Sequence, residues 1–133
     1  MVTLKHAIKI SAPKNQVYQA LTDIDAMRSW HLGSIEGAIA PGKVMLLLPG
    51  SGQRFGWRTD VLEPDKFIEQ TEVEGPGDSV GRILTFVLSE LPENRTQVVL
   101  THGDWKEDDD HLAFCNTHWG EVLYRLKSHV EKG

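Results

Sequence analysis

Residues 109–132 read DDHLAFCNTHWGEVLYRLKSHVEK, the longest uninterrupted helical pattern in the chain. Placed about 100° apart around a helix axis, Leu112, Trp119, Leu123, Leu126 and Val130 form one broad apolar stripe. His111, Cys115, His118 and Val122 run along one margin of that stripe at i, i+4, i+7 and i+11, while Glu121, Tyr124, Lys127 and Ser128 fall elsewhere. A helix of this length spans roughly 30 Å, enough to cross a small domain. The stripe must be buried, so the fold depends on what surface the upstream sequence offers it.

Upstream, Leu4, His6, Ile8 and Ile10 alternate with Thr3, Lys5, Ala7 and Lys9, which is the period of a strand with one buried face. Ser11, Ala12 and Pro13 end that strand, and Pro13 suits the first turn of a helix, where its missing N–H has no partner to lose. Val17, Tyr18 and Leu21 mark this first short helix, which ends near Thr22; a second, capped by Asp23 or Asp25, runs through Met27 to Trp30. From His31 to Gly103 the helical period disappears and short apolar runs alternate with turn residues. Strands are expected over residues 35–39, 44–48, 55–61 and 67–73, then around Leu84, Phe86 and Leu88, and around Val98, Leu100 and His102. Pro41-Gly42, the Gly50-Ser51-Gly52 hairpin loop, a type I turn at 63–66 with Pro64 second, 75–78 and 92–94 separate them. The order is therefore one strand, two short helices, about six antiparallel strands and one long helix. Only the apolar face of that sheet is large enough to cover the helix, so the sheet curls around it and leaves room for a pocket between them.

The 133 residues suit one domain, 1–133. A composition 40% hydrophobic and 25% charged is that of a folded globular protein. A net charge of −5 without a Lys/Arg cluster argues against nucleic acid and anionic membranes as partners. One cysteine makes no internal disulfide, and no segment has the length and apolarity of a signal peptide or membrane span. A cytoplasmic location and no membrane insertion are the expectation.

Two sets of residues resemble a known family. Ile8-Lys9-Ile10-Ser11-Ala12-Pro13, then Val17-Tyr18-Gln19-Ala20-Leu21-Thr22-Asp23, Met27 and Trp30, are similar to the N-terminal signature of START-like proteins of the SRPBCC superfamily. Thr96-Gln97-Val98-Val99-Leu100-Thr101-His102-Gly103, followed by Trp119 and Leu123-Tyr124-Arg125-Leu126-Lys127, resembles the branch named for the activator of heat-shock protein 90 ATPase. The resemblance implies an α+β helix-grip fold: a curved antiparallel sheet wrapped around a long C-terminal helix, with two short helices after strand 1. It further implies members that bind apolar small molecules or act as accessory proteins, a minority being enzymes such as polyketide cyclases. The superfamily shares no universal catalytic residues, so none is carried over.

His111, Cys115 and His118, joined by His102 from the preceding strand, have the residue types of a zinc site. The sequence lacks the paired cysteines or His-Glu-x-x-His spacing that define such sites, and no metal or cofactor is expected. Cys115 as a nucleophile beside a histidine would require a positive field or an oxyanion hole that the sequence does not offer, so no catalytic residue is assigned. Of two arginines suited to anion binding, Arg58 and Arg82, the former stands opposite in phase to Trp57 and belongs on the surface. The acidic run from Glu107 to Asp110 lacks the ligand spacing of a calcium loop and fits the start of a helix, one aspartate capping it.

The function expected is binding of a small apolar or amphipathic molecule in a cavity under the long helix. Trp30, Trp57, Phe86, His102, His111, Cys115, His118 and Trp119 are the expected lining. One alternative is a cyclase- or hydrolase-type enzyme using a cavity histidine, for which no paired carboxylate stands at a clear inward position. Another is a chaperone-accessory module with a protein partner or a second copy of itself.

Overall fold

A computed structural model describes residues 1–50 and 52–132; Ser51, in the expected hairpin loop, lies outside the described residues. The elements are β1 (Val2–Ile10), α1 (Lys14–Thr22), α2 (Ile24–Trp30), β2 (Ser34–Gly37), β3 (Val44–Leu48), β4 (Phe55–Glu63), β5 (Phe67–Glu74), β6 (Ile83–Leu91), β7 (Arg95–Trp105) and α3 (Leu112–Lys132), with a 3-10 turn at Gly77–Ser79. The seven strands among the described residues form one antiparallel sheet in the order β1-β7-β6-β5-β4-β3-β2. The helix-grip α+β fold is therefore present, with both short helices between β1 and β2. Among the described residues no helix is long and apolar enough to cross a membrane.

Local chemistry accounts for the junctions. Pro13 precedes α1, and the Asp23 carboxylate caps α2 by accepting from the Asp25 N–H at 2.9 Å. The turn at 63–66 closes with Lys66 N–H donating to Glu63 O at 3.0 Å, but Asp65 has φ 63°. A positive φ at the third position is that of a type II turn, so the expected type I geometry is corrected. Register shifts in β1 between Val2 and Leu4, and in β4 between Gly56 and Trp57 and between Thr59 and Val61, bend the sheet.

The curved sheet closes on α3, which packs against β1, α1 and α2. Trp119, Val122, Leu123, Leu126 and Val130 are buried there, Leu126 completely. Full burial of each such side chain contributes roughly 1.5–3 kcal/mol. Leu112, at the N-terminal end of the stripe, is only half-buried, whereas Val122, placed by periodicity on the margin, is core. Toward its C-terminal end α3 thus holds the fold together, and toward its N-terminal end the packing opens.

Candidate functional site

Where the packing opens, a cavity of about 280 Å³ lies between the sheet and the first turns of α3. Phe55 and Trp57 of β4, Glu72 of β5, His102 and Trp105 of β7, and Cys115, His118 and Trp119 of α3 line it. The segment joining β5 to β6 closes one side through Pro76, Asp78, Ser79 and Arg82.

Backbone pairing fixes the directions of these side chains. On β7, Thr96, Val98, Leu100 and His102 alternate inward. Beyond His102 the alternation breaks, because Leu4 pairs with His102 and Val2 with Trp105, so two residues of β1 span three of β7. That irregularity turns Trp105 inward where simple alternation would place Asp104. On β5 the inward set is Ile68, Gln70 and Glu72. Glu72 pairs with Trp57 across β4; its N–H donates to Arg82 O at 2.9 Å and its carbonyl accepts from the Gly81 N–H at 2.8 Å. The backbone is held on both sides, and its carboxylate points into the protein with only 2% of the residue exposed.

The aromatic rings surround His102. Its ring centroid lies 5.5 Å from Trp57, 5.4 Å from Trp105 and 5.3 Å from Trp119, each in an edge-to-face arrangement. The Trp119 indole N–H donates to His102 Nδ1 at 2.9 Å. An indole nitrogen can only donate, so Nδ1 is the acceptor and the proton of the neutral imidazole sits on Nε2. Nε2 faces Glu72 Oε1 at 3.7 Å, too far for a direct hydrogen bond. Arg82 lies with its guanidinium 3.6 Å from the centre of the Trp105 ring, donates through Nε to Asp104 O at 3.1 Å and reaches Asp109 Oδ2 at 3.3 Å. Asp109 in turn accepts from the His111 N–H at 2.8 Å, a turn just ahead of α3 that leaves His111, not an aspartate, next to the first helical residue.

Of the five buried side-chain polar atoms without a hydrogen-bond partner among the described residues, four belong to this lining: Glu72 Oε2, Ser79 Oγ, His102 Nε2 and Trp105 Nε1. Such atoms are rare in folded proteins and costly unless something bonds them. Burial, reinforced by the Glu72 carboxylate, pushes the Cys115 thiol above its usual range. That removes the thiolate a nucleophile would need. Burial also lowers the His118 imidazole, which keeps it neutral. No group of three or more His, Cys, Asp or Glu positioned to hold a metal ion occurs among the described residues.

Six of the eight residues expected from sequence meet in this lining: Trp57, His102, His111, Cys115, His118 and Trp119. His111 stands one residue ahead of α3 and is exposed, at the cavity's rim. The other two stand outside this lining. Trp30 is packed at the α1–α2–α3 junction, its indole N–H donating to Ala20 O at 3.0 Å and its carbonyl accepting from Arg125 Nε at 2.7 Å. Phe86 lies opposite Ile68 and Leu100 in the middle of the sheet and is core. The sequence offered no paired carboxylate at a clear inward position; the structure places the Glu72 carboxylate inward, 3.7 Å from His102. Arg58 is on the surface, paired with Asp60 at 2.7 Å, whereas Arg82 is buried beside the cavity.

A curved seven-stranded sheet gripping a long C-terminal helix defines a START-like protein of the SRPBCC class. Within that class, the family described as Activator of Hsp90 ATPase homolog 1-like protein matches residues 11–131, and the chain belongs to it. The solution structure of the Aha1 dimer from Colwellia psychrerythraea is similar at 32% identity and a TM-score of 0.89, over 98% of this chain and 97% of that one. A Mesorhizobium loti protein shares the fold at 18% identity and a TM-score of 0.86, over 98% of each chain. CalU16 from Micromonospora echinospora does so at 20% identity and a TM-score of 0.80, over 96% of this chain and 75% of its own. A search of the curated proteins found no match.

Proposed function

We propose that the chain binds a small apolar or amphipathic molecule in the cavity beneath the first turns of α3. The observation that carries this reading is a space of about 280 Å³ whose walls combine tryptophan rings with buried, unpartnered polar atoms. Ligand sites have that composition: apolar surface for affinity and a few polar groups for orientation. A compound screen read by tryptophan fluorescence, repeated on Cys115→Trp to fill the space, tests it. Binding to the wild type that is lost in the folded variant is expected; equal binding to both would move the site elsewhere.

A second reading, a cyclase- or hydrolase-type enzyme, is favoured by one observation. Glu72 stands 3.7 Å from His102, a carboxylate and an imidazole together facing one cavity. Turnover of a bound compound that disappears in both His102→Gln and Glu72→Gln would support it, and binding without turnover would exclude it for that compound. As protein partner we infer a second copy of this chain, because the 32% identical Colwellia protein is a dimer. A monomeric mass at every concentration in sedimentation would remove that inference.

A further inference from the structure

We propose that the head group received by this cavity is a cationic, hydrogen-bond-donating nitrogen, an ammonium carried on an apolar or aromatic body. The proposal rests on the ligand-binding reading above and concerns which chemistry that site selects. It begins with Glu72, whose Oε2 has no partner and whose residue is 2% exposed. A buried carboxylate oxygen can only accept when ionised, so what completes it must donate. The donors nearby do not do so. His102 Nε2 is 3.7 Å from the other oxygen, Oε1, and Ser79 Oγ is itself unpartnered.

Ser79 Oγ and Glu72 Oε2 both lie against the bare Cα of Gly75, where a Cβ would collide with each of them. With no side chain at position 75, glycine lets the Glu72 carboxylate and the Ser79 hydroxyl pack directly against the backbone, and an added methyl there would displace the carboxylate oxygen.

The sign of the charge around the cavity points the same way. Its lining carries three carboxylates, Glu72, Asp78 and Asp109, against one guanidinium, Arg82, and no lysine. Arg82 is engaged by Asp109 and by the Asp104 carbonyl, so Glu72 has no cation of its own. His102 accepts the Trp119 N–H on Nδ1, and His118 is held neutral by burial; neither supplies positive charge. An anionic head such as a fatty-acid carboxylate would meet like charge in a desolvated space, while an ammonium would meet opposite charge. The surrounding rings favour the same choice: Trp57 and Trp119 stand edge to face with centroids 6.1 Å apart, beside Glu72 on the neighbouring strand. Tryptophan faces attract organic cations, and the Trp105 ring already does so with Arg82.

The test is a matched series on one body, naphthylethylammonium, naphthylethanol and naphthylacetate, titrated calorimetrically into the wild-type protein and into Glu72→Gln. The ammonium is expected to bind the wild type about tenfold or more tightly than the alcohol, with the carboxylate weakest. In Glu72→Gln that preference falls to within about threefold while the affinity for the alcohol is retained. Gly75→Ala, which crowds Oε2 and leaves the charge intact, is expected to weaken the ammonium selectively. It serves as the second variant if Glu72→Gln does not fold. Equal affinities, or a preference for the alcohol or carboxylate, overturn the head-group assignment and leave the binding cavity standing. No binding of any of the three overturns both.

Discussion

Replacing Trp119 with Phe tests how the site is held. The substitution keeps an aromatic ring under α3 but removes the N–H that reaches His102 Nδ1 at 2.9 Å. Both residues are buried, at 5% and 3% exposure. An acceptor left unsatisfied in such a place costs about 1–3 kcal/mol, and the smaller ring adds a packing loss of the same sign. Taking about 2 kcal/mol, a domain of 133 residues should lose about 6–12 °C in Tm. Urea denaturation measures the free energy, and nitrogen chemical shifts of the imidazole report its tautomer. The wild type is expected to carry the His102 proton on Nε2, facing Glu72, and the variant to populate both tautomers. A stability change under about 0.5 kcal/mol, which is the range of a neutral surface substitution, would refute the hydrogen bond's structural role. A wild-type imidazole protonated on Nδ1 would refute the assignment of donor and acceptor outright.

Two further outcomes follow from titrating groups. The Cys115 thiol is raised first by burial and next by the Glu72 carboxylate, so alkylation near neutral pH should be slower than for a free thiol and should accelerate in Glu72→Gln; an unchanged rate in the variant would dissociate the two groups. His31, 7% exposed and accepting the Leu32 N–H on Nδ1 at 2.8 Å, is lowered by burial from 6.5 to about 4. The unfolded chain therefore takes up this proton first as pH falls. The group's contribution, on the order of 3 kcal/mol, is fully present above pH 6.5 and lost by about pH 4. Urea midpoints measured across that window should fall less steeply in His31→Asn, and identical slopes would count against the buried neutral imidazole.

What could be read in the sequence, and what could not, divides along α3. Its C-terminal stripe was legible because Leu123, Leu126 and Val130 are buried by a helical period with nothing to oppose it. The strands were legible from their own period of two, to within two residues at the ends of β1 to β5, whereas β6 ends three residues later and β7 begins three residues earlier than the alternation suggested. At β2 the sequence suggested 35–39 and the strand is Ser34–Gly37. On β5 the pattern misleads. Its more apolar phase holds Phe67, Thr71 and Val73, yet the strand buries Ile68, Gln70 and Glu72. Gln70 is tolerated because its Nε2 reaches Thr59 Oγ1 at 3.3 Å across β4, but Glu72 has no comparable partner on Oε2. Trp105 escaped for a different reason, since the irregular pairing of β1 with β7 shifts its phase and leaves no mark in the composition. Both exceptions lie on the wall of one cavity, together with Ser79 and Arg82. These two departures from simple alternation meet at one place, where a buried carboxylate stands beside tryptophan rings. In folded proteins such coincident violations concentrate at functional sites, and that is a reason, independent of the cavity's volume, to look for the ligand beside Glu72.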